Sequence, residues 1–256
     1  MIYKEWINEL EIEIDYYSAF IKAWIAFNSW YRKQYKYRQD RKIIEEIKSN
    51  NNEFKDNIET LLDLSLTSDN ALKFREDLRN LQQALSAATI VTQERDGDRL
   101  QISFSDIAIS NPKRKLSENY NRTHYELTRD HEGIKVLLHK KNDSSIIYFE
   151  YNQNNYDLSI IESHPDFQKL SPEQQGQCKA FYKEIKPYNT ESVLTSDKNG
   201  KTVFIEERAR VSRGIVEVLY LLRCSLMHGE VKPSKNASEV YKYAYLVLFA
   251  ILKNMV

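Results

Sequence analysis

The residues that could do chemistry stand at the end of an apolar run, in the stretch LLRCSLMHGE, residues 221 to 230. Arg223 and His228 lie five positions apart there. An arginine is always charged and offers a planar fork of donors that matches a phosphate. A histidine, with a reference pKa of about 6.5, moves protons near neutral pH. RNA brings its own nucleophile, the 2′-hydroxyl. A ribonuclease without a metal therefore needs only to orient that hydroxyl, move protons and stabilise the crowded phosphate. One Arg and one His, doubled by symmetry, are a sufficient set. On an ideal helix five steps leave the two side chains roughly 140° apart around the axis. They converge if the helix ends or distorts near Met227, or if two protomers each bring their pair to one shared cleft. Spacing alone favours a plainer reading, with the arginine paired locally and the histidine set against the carbonyl end of its helix.

Other groups carry weaker chemical signals. Asn28 sits one turn after Trp24, at the edge of an apolar stripe, where its amide is either a buried hydrogen-bonding group or a site residue. The run YRKQYKYRQDRK, residues 31 to 42, interleaves tyrosines with Arg32, Lys36 and Arg38. That mixture suits phosphate contact and base stacking, although a solvated helix face has the same composition. His124, His131, His139 and His164 lack paired ligand spacing along the chain and read as surface or strand histidines. There is no CxxC pair among the two cysteines, Cys178 and Cys224, no phosphate-cradling glycine loop, no GxSxG and no HExxH. No metal and no cofactor is expected.

The elements that position these groups follow from periodicity. No proline precedes Pro112 and no glycine precedes Gly97, so the first 95 or so residues read as helices. Tyr17, Phe20, Trp24, Phe27 and Tyr31 recur at three and four, one face of a long amphipathic helix. Two further helices are expected over 43–64 and 69–92, the second capped by Ser68 or Asp69. After residues 95–98 the period changes. Leu100, Ile102 and Phe104 alternate as in a half-buried strand. Residues 124–152 read as two or three strands, turning at Gly133 and at Asn142-Asp143-Ser144, and Asn199-Gly200 marks the tip of another hairpin. Ser171, Pro172 and Gln174 form a helix start. Val211, Ile215, Val218, Leu222 and Leu226 then share a helix face that ends near His228-Gly229. Pro233 breaks the link, and Ser234 or Ser238 opens a last helix bearing Tyr241, Ala244, Tyr245, Leu248, Ile251 and Leu252.

Composition bounds the answer. The chain has 256 residues, enough for one large domain or two small ones. With 37 basic and 37 acidic residues its net charge is zero, which argues against a non-specific nucleic-acid sponge and makes any RNA contact local. No apolar run reaches the ~20 residues that span a bilayer, and the first residues lack a signal-peptide pattern. A soluble, cytoplasmic protein is expected.

Three features together resemble the HEPN superfamily, the helical nuclease and nucleotide-binding domains of bacterial toxins, abortive-infection proteins and CRISPR effectors. They are the early helix FIKAWIAFNSWYRKQY (residues 20 to 35), the LLRCSLMHGE stretch, which fits an R-x4-6-H motif followed by glycine, and the closing helix directly after it. The resemblance covers the two ends of the chain and says nothing about the middle. It implies a helical bundle, and together with the strand periodicity of the middle this gives a mainly α fold: a HEPN-like helical bundle built from residues 1–96 and 206–256, with a mixed α/β insertion over 97–205. It implies a homodimer with its motifs face to face and metal-independent RNA cleavage to a cyclic phosphate, in toxin or anti-phage defence, with an antitoxin or defence-system partner. Carried over by position, Arg223 would hold the phosphate and His228 would transfer the proton or orient the 2′-hydroxyl. Asn28 and Cys224 are the auxiliary candidates, and Arg32, Lys36 and Arg38 the RNA-binding ones. Two residues depart from the family pattern. Cys224 stands where a polar Asn, Asp or His is usual, and a thiol is a weak donor. Glu230 stands where toxins controlled by a companion nucleotidyltransferase carry a tyrosine. The alternative reading is a catalytically weak or inactive module that binds RNA, a nucleotide or a partner protein.

Overall fold

The computed structural model describes residues 15–93, 99–130 and 133–255. The expectation of a mainly α chain is overturned. The protein is α/β, with 52% helix and 20% strand. It divides into two compact units, one formed by the chain ends together with 99–107 and 191–256, the other by 108–190.

In the first unit, α1 (Tyr16–Gln34) is capped by Asp15, whose carboxylate accepts from the amides of Tyr17 and Ser18. Phe20, Trp24, Phe27 and Tyr31 are buried and Tyr17 is half-buried, as the spacing requires. The helix expected over 43–64 is two helices, α2 (Asp40–Ser49) and α3 (Glu53–Leu62). Asn50, Asn51 and Asn52 make the break. Asparagine competes for backbone groups, and the Asn52 side chain accepts from the Lys55 amide to start α3. Helix α4 (Asp69–Ala87) is capped by Ser68 and ends before the expected boundary, because residues 91–93 form β1 (Val91–Gln93), which pairs antiparallel with β2 (Arg99–Gln101). Leu100's side chain and residues 95–98, where the sequence period changes, lie outside what is described.

Ile102, Phe104, Ile107 and Val193 are buried in the same core as the helices, which is why 99–107 and 191–205 belong to this unit and not to the segment between. Strand β3 (Ile107–Ser110), which begins on the last residue of the first unit's 99–107 segment, pairs with β8 (Tyr188–Glu191), and the rest of the second unit's 108–190 segment lies between them in sequence. An antiparallel meander runs β4 (Lys115–Tyr120), β5 (Thr123–Arg129), β6 (Ile134–Lys140), β7 (Asp143–Gln153) in that spatial order. Strands β5 and β6 alternate between buried and less buried residues, the mark of a sheet with one covered face. That face carries Tyr125, Leu127, Val136, Leu138 and Phe149, and it clusters with Cys178 and Tyr182 of α7. Two short helices, α5 (Leu158–Ser163) and α6 (Pro165–Gln168), lead into α7 (Pro172–Glu184). The start of α7 is a full capping box: Ser171 accepts from the Gln174 amide, and the Gln174 side chain accepts from the Ser171 amide.

The chain returns to the first unit through the hairpin β9 (Leu194–Ser196) and β10 (Thr202–Phe204), with Gly200 at positive φ in its turn. Helix α8 (Arg208–Met227) then packs against α2 and α3. Helix α9 (Lys235–Lys253), capped by Ser234, packs along α1 and α4.

Candidate functional site

The C-terminal end of α8 is set by backbone chemistry. Gly229 takes a φ of 69°. The Glu230 amide donates to the Ser225 carbonyl at 2.9 Å, and the Gly229 amide donates to the Leu226 carbonyl at 3.2 Å. This pair of reversed bonds is a Schellman ending, which needs a residue tolerant of the left-handed region at that position. The helix stays regular through Met227, so the angular offset between Arg223 and His228 persists within one chain. No hydrogen bond or ion pair joins the two. His228 is the exposed C-cap residue. Arg223 is partly buried, with 22% of its side chain exposed, and its Nη2 lies 3.4 Å from Asp40 Oδ2.

Asp40 organises the surroundings of Arg223. It opens α2, where a carboxylate meets the positive end of the helix dipole. Its other oxygen pairs with Arg32, whose guanidinium also donates to the Tyr37 and Arg38 carbonyls at 2.9 and 3.1 Å. Arg32 therefore ties down the α1–α2 loop as well as lying in the basic run. Lys36 and Arg38 are exposed on that loop. The Tyr31 hydroxyl is pushed up to about 12, first by burial and then by the nearby Asp40 carboxylate, against the opposing pull of Arg223 and Arg32. Asn28 lies one turn before Tyr31, and its Oδ1 is buried without a hydrogen-bond partner among the described residues. Cys224 is half-buried, with its sulfur 3.9 Å from Arg223 Nη1. A thiol at that distance gives the guanidinium little positional restraint.

Next to this group, α8 carries a buried carboxylate, Glu217. It accepts from Arg41 Nη1 at 2.6 Å and from Lys48 Nζ at 2.7 Å. Glu217 and Lys48 are 1% and 2% exposed. Burial alone would raise the Glu217 pKa, but the two facing cations more than offset it, so the carboxyl is held below its ordinary value. The Arg41 guanidinium also stands 5.3 Å from the Tyr220 ring centre. Sequence reasoning missed Asp40, Glu217 and the buried cation Lys48. An acidic residue opening a helix directly after a basic run was the available signal for Asp40. A lone glutamate within the apolar stretch of 211–222 was the signal for Glu217.

The second unit holds two further features. A cavity of about 540 Å³ is lined by Tyr120, Arg122, Tyr148, Glu173 and Gln174 among others. On the sheet face opposite the α7-covered one, His124 and Glu126 of β5 and His139 of β6 each place a donor atom within 4.8 Å of the others. His164 caps α6 through its Nδ1, and His131 lies outside the described residues. Among the described residues, no helix is long and apolar enough to cross a membrane. No protein-family model matches the chain, and no curated protein or solved structure is significantly similar to it.

Proposed function

We propose that the first unit is an endoribonuclease of the HEPN type, working without a metal ion and as a homodimer. The observation that carries this reading is the end of α8. There a half-buried guanidinium, oriented by Asp40, and an exposed imidazole on a fixed turn are held by one rigid element. Because the two groups diverge within one chain, the reaction centre requires a second copy, which brings a further Arg223 and His228 to the same cleft. Exposed Met227, 57% accessible and adjacent to His228, offers apolar surface for that contact. Lys36 and Arg38 supply phosphate contacts outside the cleft.

In the reaction, the 2′-oxygen of a ribose attacks the adjacent phosphorus and the P–O5′ bond breaks. The products are a 2′,3′-cyclic phosphate and a 5′-hydroxyl. His228 removes the 2′-proton or returns a proton to the leaving oxygen, the proton transfer that an imidazole performs. Arg223 neutralises the phosphorane oxygens. The cellular role we propose is toxin or anti-phage defence. Expression should slow growth, and Arg223→Ala should relieve the defect.

The test is incubation of the purified chain with tRNA and single-stranded RNA in EDTA. Cleavage to cyclic-phosphate and 5′-hydroxyl ends is expected, with a 2′-O-methyl RNA of the same sequence left intact. Cleavage of the methylated strand, or cleavage that needs added metal, would overturn the mechanism. A second reading, an inactive module that binds RNA, a nucleotide or a partner protein, draws on Cys224 and on the Arg223–Asp40 pair, which already occupies the guanidinium. It predicts RNA retention without cleavage and no growth effect.

A further inference from the structure

We infer that His124, Glu126 and His139 form a binding site for a first-row divalent transition-metal ion, Zn²⁺ being the species their donors fit best. The sheet register brings them together. His124 and His139 are direct partners across β5 and β6, and Glu126 stands two residues along from His124 on the same face. His139 sits where the β6–β7 register shifts. Such irregularities re-aim a side chain relative to its strand. The two imidazole centres are 4.8 Å apart, tilted by 42°. His124 Nε2 is 3.3 Å from Glu126 Oε1. Tetrahedral ligands about 2.1 Å from one zinc ion are separated by about 3.4 Å, so these two atoms already hold a co-ligand spacing.

The outer contacts point the same way. His124 Nδ1 lies 2.8 Å from Asn119 Oδ1, and His139 Nδ1 lies 3.0 Å from the Lys140 carbonyl. Both acceptors are carbonyl oxygens, so each Nδ1 is the donor, and in the neutral imidazole Nε2 is then the nitrogen with a lone pair for a metal. A metal-binding histidine is oriented in this manner, its other nitrogen donating to a carbonyl or carboxylate. Ser117 Oγ, 3.2 Å from His124 Nε2, gives way or turns aside as the ion enters. Two imidazoles and one carboxylate leave a fourth position open to water or an anionic ligand. The set lies wholly in the second unit and involves neither Arg223 nor His228. It also revises the expectation of no metal, which rested on spacing along the chain.

The full-length chain, stripped with EDTA and exchanged into chelator-free buffer, is titrated with Zn²⁺ against a chromogenic chelator. The expected result is one tight equivalent per chain. His124→Gln, His139→Gln and Glu126→Gln should each weaken it at least about tenfold, and Asn119→Leu, which only orients His124, by about 10- to 100-fold. Thermal melts in EDTA should show each variant still folded, since all four side chains lie on the sheet face away from the α7-covered core. Co²⁺ should give the intense visible bands of a four-coordinate site in wild type and lose them in His139→Gln. Absence of binding by the folded wild type, or unchanged affinity in a folded histidine variant, overturns the inference. EDTA-resistant RNA cleavage by His139→Gln should equal that of wild type, which keeps this test separate from the proposed ribonuclease.

Discussion

Glu217 stabilises the first unit only while it is ionised. Its native pKa is lowered by Arg41 and Lys48 despite burial. The stabilisation is therefore complete above the unfolded carboxyl value of about 4.3 and is lost as pH falls through the lower native value. The thermal midpoint of wild type should drop below about pH 4, with a steeper dependence than in Glu217→Gln. At neutral pH Glu217→Gln should cost about 3–5 kcal/mol, because two cations lose a buried counter-charge, and chemical denaturation measures that loss. At the candidate site, Asp40→Asn removes the carboxylate that faces Arg223 and Arg32. RNA cleavage by this variant should fall about tenfold or more, with folding retained, as checked by circular dichroism. The residues at this scale were unevenly legible. Arg223 and His228 stand in one short stretch and carry distinctive chemistry. Asp40 and Glu217 find their partners through tertiary packing, which no local spacing encodes. The His124–Glu126–His139 group was hidden for a related reason: ligand rules run along the chain, whereas this group is assembled across strands by register.

At the scale of elements, the caps and turns were the most legible features, because they are local. The Ser171 capping box, the Ser68 and Ser234 caps, the Asn199-Gly200 turn and the Gly229 helix end all stand where short-range chemistry puts them. Strand β4 was not legible. Only Leu116 of its six residues is buried, so no alternation marks it. Strand β1, at three residues, is likewise too short to show a period of two, whereas the equally short β9–β10 hairpin was legible from its Asn199-Gly200 turn. Such short strands are one reason a mainly α expectation failed. Gly133 is the element-level test. Its φ is 138°, and a Cβ there would stand 2.2 Å from the Gln153 carbonyl oxygen on β7. Gly133→Ala should destabilise the second unit by about 3 kcal/mol or more, seen as a lowered melting midpoint. Gly200→Ala, with open space around its Cβ, should cost less.

For the whole molecule, the division into units follows burial rather than sequence texture. Residues 99–107 and 191–205 look like strand-forming insertion, yet Ile102, Phe104 and Val193 are completely or almost completely buried in the helical core. A composition shift marks where the period changes, not which core receives the side chains. The reading of Arg223 and His228 also makes a claim at this scale. If the proposed ribonuclease reading holds, two groups that diverge within one chain need a second copy, so light scattering should give twice the 30.3 kDa chain mass. Met227→Asp should shift the protein toward monomer and lower cleavage together with it.

The most direct test compares wild type with His228→Ala on end-labelled RNA in EDTA, at enzyme in excess over substrate. Accumulation of cyclic-phosphate fragments with wild type, reduced by two orders of magnitude or more in the variant, is what the account predicts. Equal rates from the two proteins, with both folded and dimeric, would contradict it.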